Sequence, residues 1–167
     1  MNIERKHEQV KWKRIALATA IAGALSVGAA TAFAGECPAD KVVPDGQGAK
    51  PVTTAAKGVT DVVRSSTDLG KESIGASGYL FRLRQLDIQS GGIVPWHSHG
   101  ERPAMIYMVK GTVIEYSSSC AVPIVHKAGQ STAEVKGTSH WWKNTGKKTV
   151  VLLSADLFHD KDDPHMM

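Results

Sequence analysis

The sequence predicts an all-β protein closed into a barrel, and three observations carry that prediction. From Val59 onward the chain reads as short runs of alternating or β-branched residues separated by glycine-containing turns. No segment holds a convincing apolar stripe of helical period except residues 15–30, which belong to a leader. Three histidines, His97, His99 and His140, can meet only if the chain folds back on itself. His97 and His99 stand two residues apart, which on a strand turns both rings to one face.

The elements follow in order. Residues 35–58, rich in proline, glycine, lysine and alanine, read as an extended or flexible arm. The barrel is expected over 59–158. Its strands are expected at 61–67, 79–89, 93–99, 105–109, 112–116, 123–126, 131–135, 140–144 and 149–156. Residues 70–78 read as loop, and Ser90-Gly91-Gly92 as a turn between two strands. From Phe158 the chain is expected to fray into a polar tail, 159–167.

The first 34 residues read as a secretory signal peptide. Arg5, Lys6, Lys11, Lys13 and Arg14 make a basic start, an uncharged alanine-rich run follows, and Ala32-Phe33-Ala34 supplies a small-x-small cleavage pattern before Gly35. The apolar run of about sixteen residues falls short of the ~20 that span a bilayer, so no stable membrane association is expected after cleavage. The whole chain has 20 basic and 16 acidic residues; the leader holds five and two, leaving 15 and 14. The mature net charge is then about +1, with no basic stripe and no aromatic platform for nucleic acid. The expected location is periplasmic or secreted.

Two cysteines, Cys37 and Cys120, would meet an oxidising compartment after export. An intramolecular bridge between them would close a loop of about 80 residues, worth ~4 kcal/mol on the chain-entropy model. The alternatives are two free thiols, or a homodimer in which Cys37 pairs between subunits.

Converging imidazoles make a site for one divalent transition metal, and imidazole suits Fe, Cu, Zn, Ni and Mn without choosing among them. Trp96, Trp141 and Trp142 flank the three histidines; alternation puts Trp142 on the His140 face and Trp141 opposite. Trp96 and Trp142 are candidate pocket walls, with barrel core or subunit contact as the other reading. Arg82 and Arg84 share a strand face, read as exposed rather than as an internal carboxylate clamp. His159 and His165 stand beside Asp160, Asp162 and Asp163 in the tail and read as solvated.

The two histidine stretches resemble the motif pair of the cupin family. Gly91, His97, His99 and Gly111 match the first motif; Gly129, Gly137, His140 and Asn144 match the second. The resemblance covers roughly residues 80–155 and implies a single jelly-roll β-barrel. It also implies a metal centre on His97, His99 and His140. Two positions depart from the family pattern. The first-motif glutamate, usually a fourth ligand, falls on Ala104, and the second-motif proline on Val135. The site is thus a three-histidine variant with open coordination positions. Glu101 is either a displaced fourth ligand or a solvated loop residue paired to Arg102. With alanine at 104, the wall shared with Ile106 and Met108 is apolar. His126 fits no position in either motif.

The resulting functional expectation is a metal-dependent enzyme acting on a small organic molecule. Resemblance to three-histidine cupin dioxygenases puts dioxygenase-like chemistry first, with isomerase or lyase chemistry second. The catalytic residues themselves are not readable. The alternative is a non-catalytic metal or small-molecule binding protein, and beyond it a cupin whose site is empty.

Overall fold

β-Strand character follows from side-chain alternation, and the last strand shows it most plainly. In β8 (Val150–His159), Val150, Leu152, Ser154, Asp156 and Phe158 are buried on one face, while Val151, Leu153, Ala155 and Leu157 take the other. The computed structural model describes residues 35–52 and 55–159. The expected leader (1–34) and most of the expected tail (160–167, with His165) lie outside the described residues.

The other strands are β1 (Lys57–Asp68), β2 (Tyr79–Ser98), β3 (Ala104–Lys110), β4 (Thr112–Ser117), β5 (Ile124–Lys127), β6 (Ser131–Glu134) and β7 (Ser139–Lys143). Apart from two short 3-10 turns, Ala39–Lys41 and Leu69–Lys71, the described residues contain no helix. The strands form one eight-stranded antiparallel sheet in the order β5-β4-β7-β2-β8-β3-β6, with β1 added on β2. The sheet curls into a nearly closed jelly-roll barrel around a core that includes Ile88, Met108, Val113, Trp142 and Val150. The fold class is the one the sequence implies.

One element differs in kind from expectation. Residues 79–98 are a single strand rather than two strands joined by a turn. Its first half pairs with β1 on one edge and β8 on the other; its second half pairs with β7. The expected turn is therefore a bend that carries one strand from one side of the barrel to the other. Gly91 takes φ +73°, and a Cβ on Gly92 would lie 2.8 Å from both Gln89 O and Ile88 Cγ2, so the bend admits only glycine there. Asn144 locks it. Its fully buried Nδ2 donates to the carbonyls of Ile88, Gln89 and Lys148 at 2.8–3.0 Å.

The exposed reading of Arg82 and Arg84 is overturned. Both are buried on the inner face of β2, while Phe81 and Leu83 point outward. Burial is tolerated because carboxylates are there to meet the guanidinium groups. Arg82 Nε and Nη2 donate to Asp156 Oδ1 and Oδ2 at 2.9 and 2.7 Å, and Arg84 Nη2 lies 3.2 Å from Asp61 Oδ2. The Arg82 guanidinium also stacks 3.9 Å over the Phe158 ring. Phe158 is thus an inward residue of β8, not the start of a frayed tail.

The arm is a strap rather than a free segment. Val43 N donates to Ser119 O, Ala121 N to Lys41 O, Gly48 N to Ser118 O and Ala49 N to Ser117 O, all at 2.8–3.0 Å. Cys37 and Cys120 are disulfide-bonded within the chain at a Cα–Cα distance of 5.8 Å. Of the three arrangements the sequence left open, this is the intramolecular one.

Candidate metal centre

The bend in β2 and its pairing with β7 build the site. His97 lies directly opposite His140 in the β2–β7 ladder, so their side chains share the inner face. His99, one residue beyond β2, is held by the bond from its own N–H to Thr138 O at 2.9 Å. The three rings converge through Nε2, with His97 Nε2 at 3.0 Å from His99 Nε2 and 3.1 Å from His140 Nε2. Cis ligands on a metal at about 2.1 Å stand about 3 Å apart, so this spacing fits a shared ion.

The opposite nitrogens determine what the convergent ones can do. His97 Nδ1 donates to Pro95 O at 2.9 Å and His99 Nδ1 to Arg102 O at 2.8 Å. His140 Nδ1 donates to Glu115 Oε1 at 2.7 Å. With a proton fixed on each Nδ1, all three Nε2 atoms present lone pairs to one point. A trio of facing lone pairs is unfavourable unless a cation lies among them. The Trp142 indole Nε1 lies 3.1 Å from His140 Nδ1, but the shorter contact with a carboxylate claims that nitrogen's proton.

The electrostatics favour a cation too. Burial, reinforced by His140, pushes the pKa of His97 down to about 2 and that of His99 to about 4, so both rings are neutral ligands at physiological pH. Burial alone would push His140 down as well, but Glu134 and Glu115 outweigh it and raise its pKa. The two carboxylates behind this ring thus favour positive charge on its far side.

Glu115, His126 and Glu134 are the residues that sequence reasoning missed. Burial raises the Glu115 carboxyl, but hydrogen bonds from His126 and His140, at 2.7 Å each, bring it down to about 2. His126 stacks flat on Trp142, with ring centroids 4.6 Å apart. Glu134 Oε2 lies 3.4 Å from His140 Nδ1, and burial pushes its pKa up to about 7. The available signal was phase: Glu115 sits between Val113 and Ser117 on the inward face of β4, where an unpartnered charge is costly.

Other expected residues fall differently. Ile106 and Trp142 line the pocket in front of the three histidines, with Leu86, Val94 and Leu152. Trp96 is half-buried and does not line it, while Ala104 and Met108 are packed in the core. Trp141 faces outward and stacks on Tyr116, as alternation requires. Glu101 is exposed and belongs to no ligand cluster among the described residues. The pocket is narrow, about 30 Å³, which holds two or three water molecules.

The family model for the cupin domain matches residues 85–156. A germin-like protein 8-14 of Oryza sativa subsp. japonica is 31% identical over 85 residues, spanning 48% of this chain and 40% of the relative's own length. The chain therefore covers well under half of that relative. Among solved structures, a predicted oxalate decarboxylase from Thermotoga maritima is 16% identical with a TM-score of 0.49, covering 74% of this chain and 98% of the other. The Schizosaccharomyces pombe Cnp3 cupin domain is 15% identical with a TM-score of 0.46, covering 65% of this chain and 66% of the other. Motif positions and family model coincide on the same stretch: residues 85–156 of this chain match the cupin domain.

Proposed function

We propose that this protein is a periplasmic or secreted enzyme that holds one divalent transition metal on His97, His99 and His140. Its expected chemistry is dioxygenase-like, on a small organic molecule. The observation that carries the reading is the convergence of three Nε2 lone pairs at the wall of a pocket. Three protein ligands leave coordination positions for water or substrate, the arrangement of catalytic rather than structural sites. The bound metal would supply Lewis acidity or redox chemistry at that point. The protein's own part is to orient and exclude. Pro95 O, Arg102 O and Glu115 fix the ring tautomers, while Leu86, Val94, Ile106 and Leu152 form the apolar part of the pocket wall. The narrow space admits one small reacting group, with the rest of the substrate left outside.

Non-catalytic binding is the second reading, and one observation favours it. Asp156, the carboxylate that lines the pocket, is committed to Arg82 and Arg84, so no free acid–base pair faces the metal position among the described residues. Export is supported by the basic, apolar, small-x-small leader pattern and by the Cys37–Cys120 disulfide.

Elemental analysis of protein purified without added metal tests the first step, and oxygen uptake with diketones, thiols and aromatic acids tests the second. About one metal per chain with substrate-dependent oxygen uptake is expected. One metal with no turnover on any substrate class selects the binding reading, and metal-free protein that cannot be loaded overturns both.

A further inference from the structure

Behind His140, on the side away from the metal position, lies a second cavity of about 170 Å³. Its wall includes Gly35, Cys37, Glu115, Thr132 and Glu134. Two buried acceptors beside it have no donor: Glu134 Oε1 and His126 Nδ1. With Nε2 donating to Glu115, the other nitrogen of a neutral His126 imidazole, Nδ1, is an acceptor. Two unsatisfied buried acceptors, one a carboxylate oxygen, call for a compact donor that brings positive charge.

Gly35 lines the same cavity as Glu134. A Cβ built on it would lie 3.2 Å from His126 Nδ1 and 3.6 Å from Gln130 Oε1. Its backbone nitrogen is one bond, about 1.5 Å, from the same Cα. The Cys37–Cys120 disulfide pins the chain two residues further on, so whatever Gly35 carries on its nitrogen is held at the cavity. In an uncleaved chain that nitrogen is a neutral amide with one hydrogen. Cleavage between Ala34 and Gly35 converts it to an α-ammonium with three hydrogens and a charge.

We propose that the α-ammonium of Gly35, freed by leader cleavage, docks in this cavity as the ionic partner of Glu134, with His126 Nδ1 as its second acceptor. The inference rests on the cleavage reading given above. It links processing to the metal centre. Glu134 and Glu115 both lie against Nδ1 of His140, at 3.4 and 2.7 Å, and the ammonium balances the first while His126 serves the second. A small residue suits position 35, since a Cβ there would stand 3.2 Å from His126 Nδ1.

The test is to express the full chain with its leader, recover the processed protein and determine its first residue by intact mass. Acylation of the α-amine by an amine-reactive ester at neutral pH is then followed in native protein, in urea and in Glu134→Gln. A chain beginning at Gly35 is expected, labelled at least about tenfold more slowly in native protein than in urea, with Glu134→Gln restoring most of the rate. Equal rates in native protein and urea overturn the docking. A chain beginning elsewhere overturns the cleavage reading itself, and mass alone tells the two apart. Should Glu134→Gln fail to fold, a chain that begins one residue earlier, at Ala34, replaces it. Free labelling and a melting temperature several degrees lower are expected, and unchanged protection and melting overturn the proposal. Zinc titration closes the remaining route. One zinc per processed chain, retained in Glu134→Gln, is expected; a second zinc that Glu134→Gln abolishes shows that a metal ion fills the cavity instead.

Discussion

Glu115 Oε1 accepts the Nδ1 proton of His140 at 2.7 Å, and its other oxygen accepts from His126 at the same distance. This buried carboxylate stands outside the three-histidine group, yet it decides which nitrogen of His140 faces the other two rings. It joins β4, β5 and β7 through one side chain, so the tautomer of a ligand is set by strands that carry no other ligand.

Glu115→Gln is therefore expected to lower metal affinity by about 10–100-fold, the usual cost of losing an outer partner of a histidine ligand. Competition with a chromophoric zinc chelator measures it. Unchanged affinity would show that Glu115 does not orient His140. Because Gln keeps the size of the side chain, the β-sheet circular dichroism should stay as in the parent protein.

Replacing His97, His99 or His140 by alanine is expected to abolish stoichiometric metal binding, each on its own, while leaving the barrel folded. The Nε2 atoms of His99 and His140 lie 3.0 and 3.1 Å from that of His97, so no remaining pair replaces the missing ligand. Stoichiometric metal retained by the triple variant would remove this centre from consideration.

Ala104→Glu restores the family's first-motif residue at its motif position. Ala104 is paired with Asp156 on one side and Glu134 on the other, and all three are buried. A third carboxylate there repels two others, so the metal-free variant should be destabilised by about 2–4 kcal/mol. If the new carboxylate reaches the ion, added zinc should recover that loss. Thermal melts with and without zinc decide it, and equal destabilisation in both conditions places the introduced carboxylate out of reach of the metal.

Asp156→Asn tests the buried ion pairs. Asp156 receives both forks of Arg82 and stands 3.6 Å from Arg84, so neutralising it leaves two guanidinium groups to Asp61 alone. A loss of about 3–5 kcal/mol in urea unfolding is expected. Asp156→Leu with Arg82→Met should recover much of it, since an apolar pair of similar volume removes the unpaired charge along with the pair. A loss below about 1 kcal/mol for the single change would mean that solvent reaches these groups.

The sequence by itself determined the fold and the ligand trio. Alternation fixed where β3, β4 and β8 run, because a strand with one buried face must repeat every two residues. The spacing of His97 and His99, with His140 after a glycine-rich return, marked the three rings that the barrel brings together. The tertiary structure decided everything that depends on two inward faces meeting. Arg82 and Arg84 looked exposed because their partners, Asp156 and Asp61, lie on other strands. Glu115, His126 and Glu134 carry no motif, and each is intelligible only once β4, β5 and β6 place it behind His140. The Gly91-Gly92 step reads locally as a turn, yet it bends one continuous strand because Asn144, some fifty residues later, holds the carbonyls of Ile88 and Gln89. Periodicity is a local property that the chain carries in its own order of residues. The partner of a buried charge is not, since it is set by which strands the closed barrel makes neighbours.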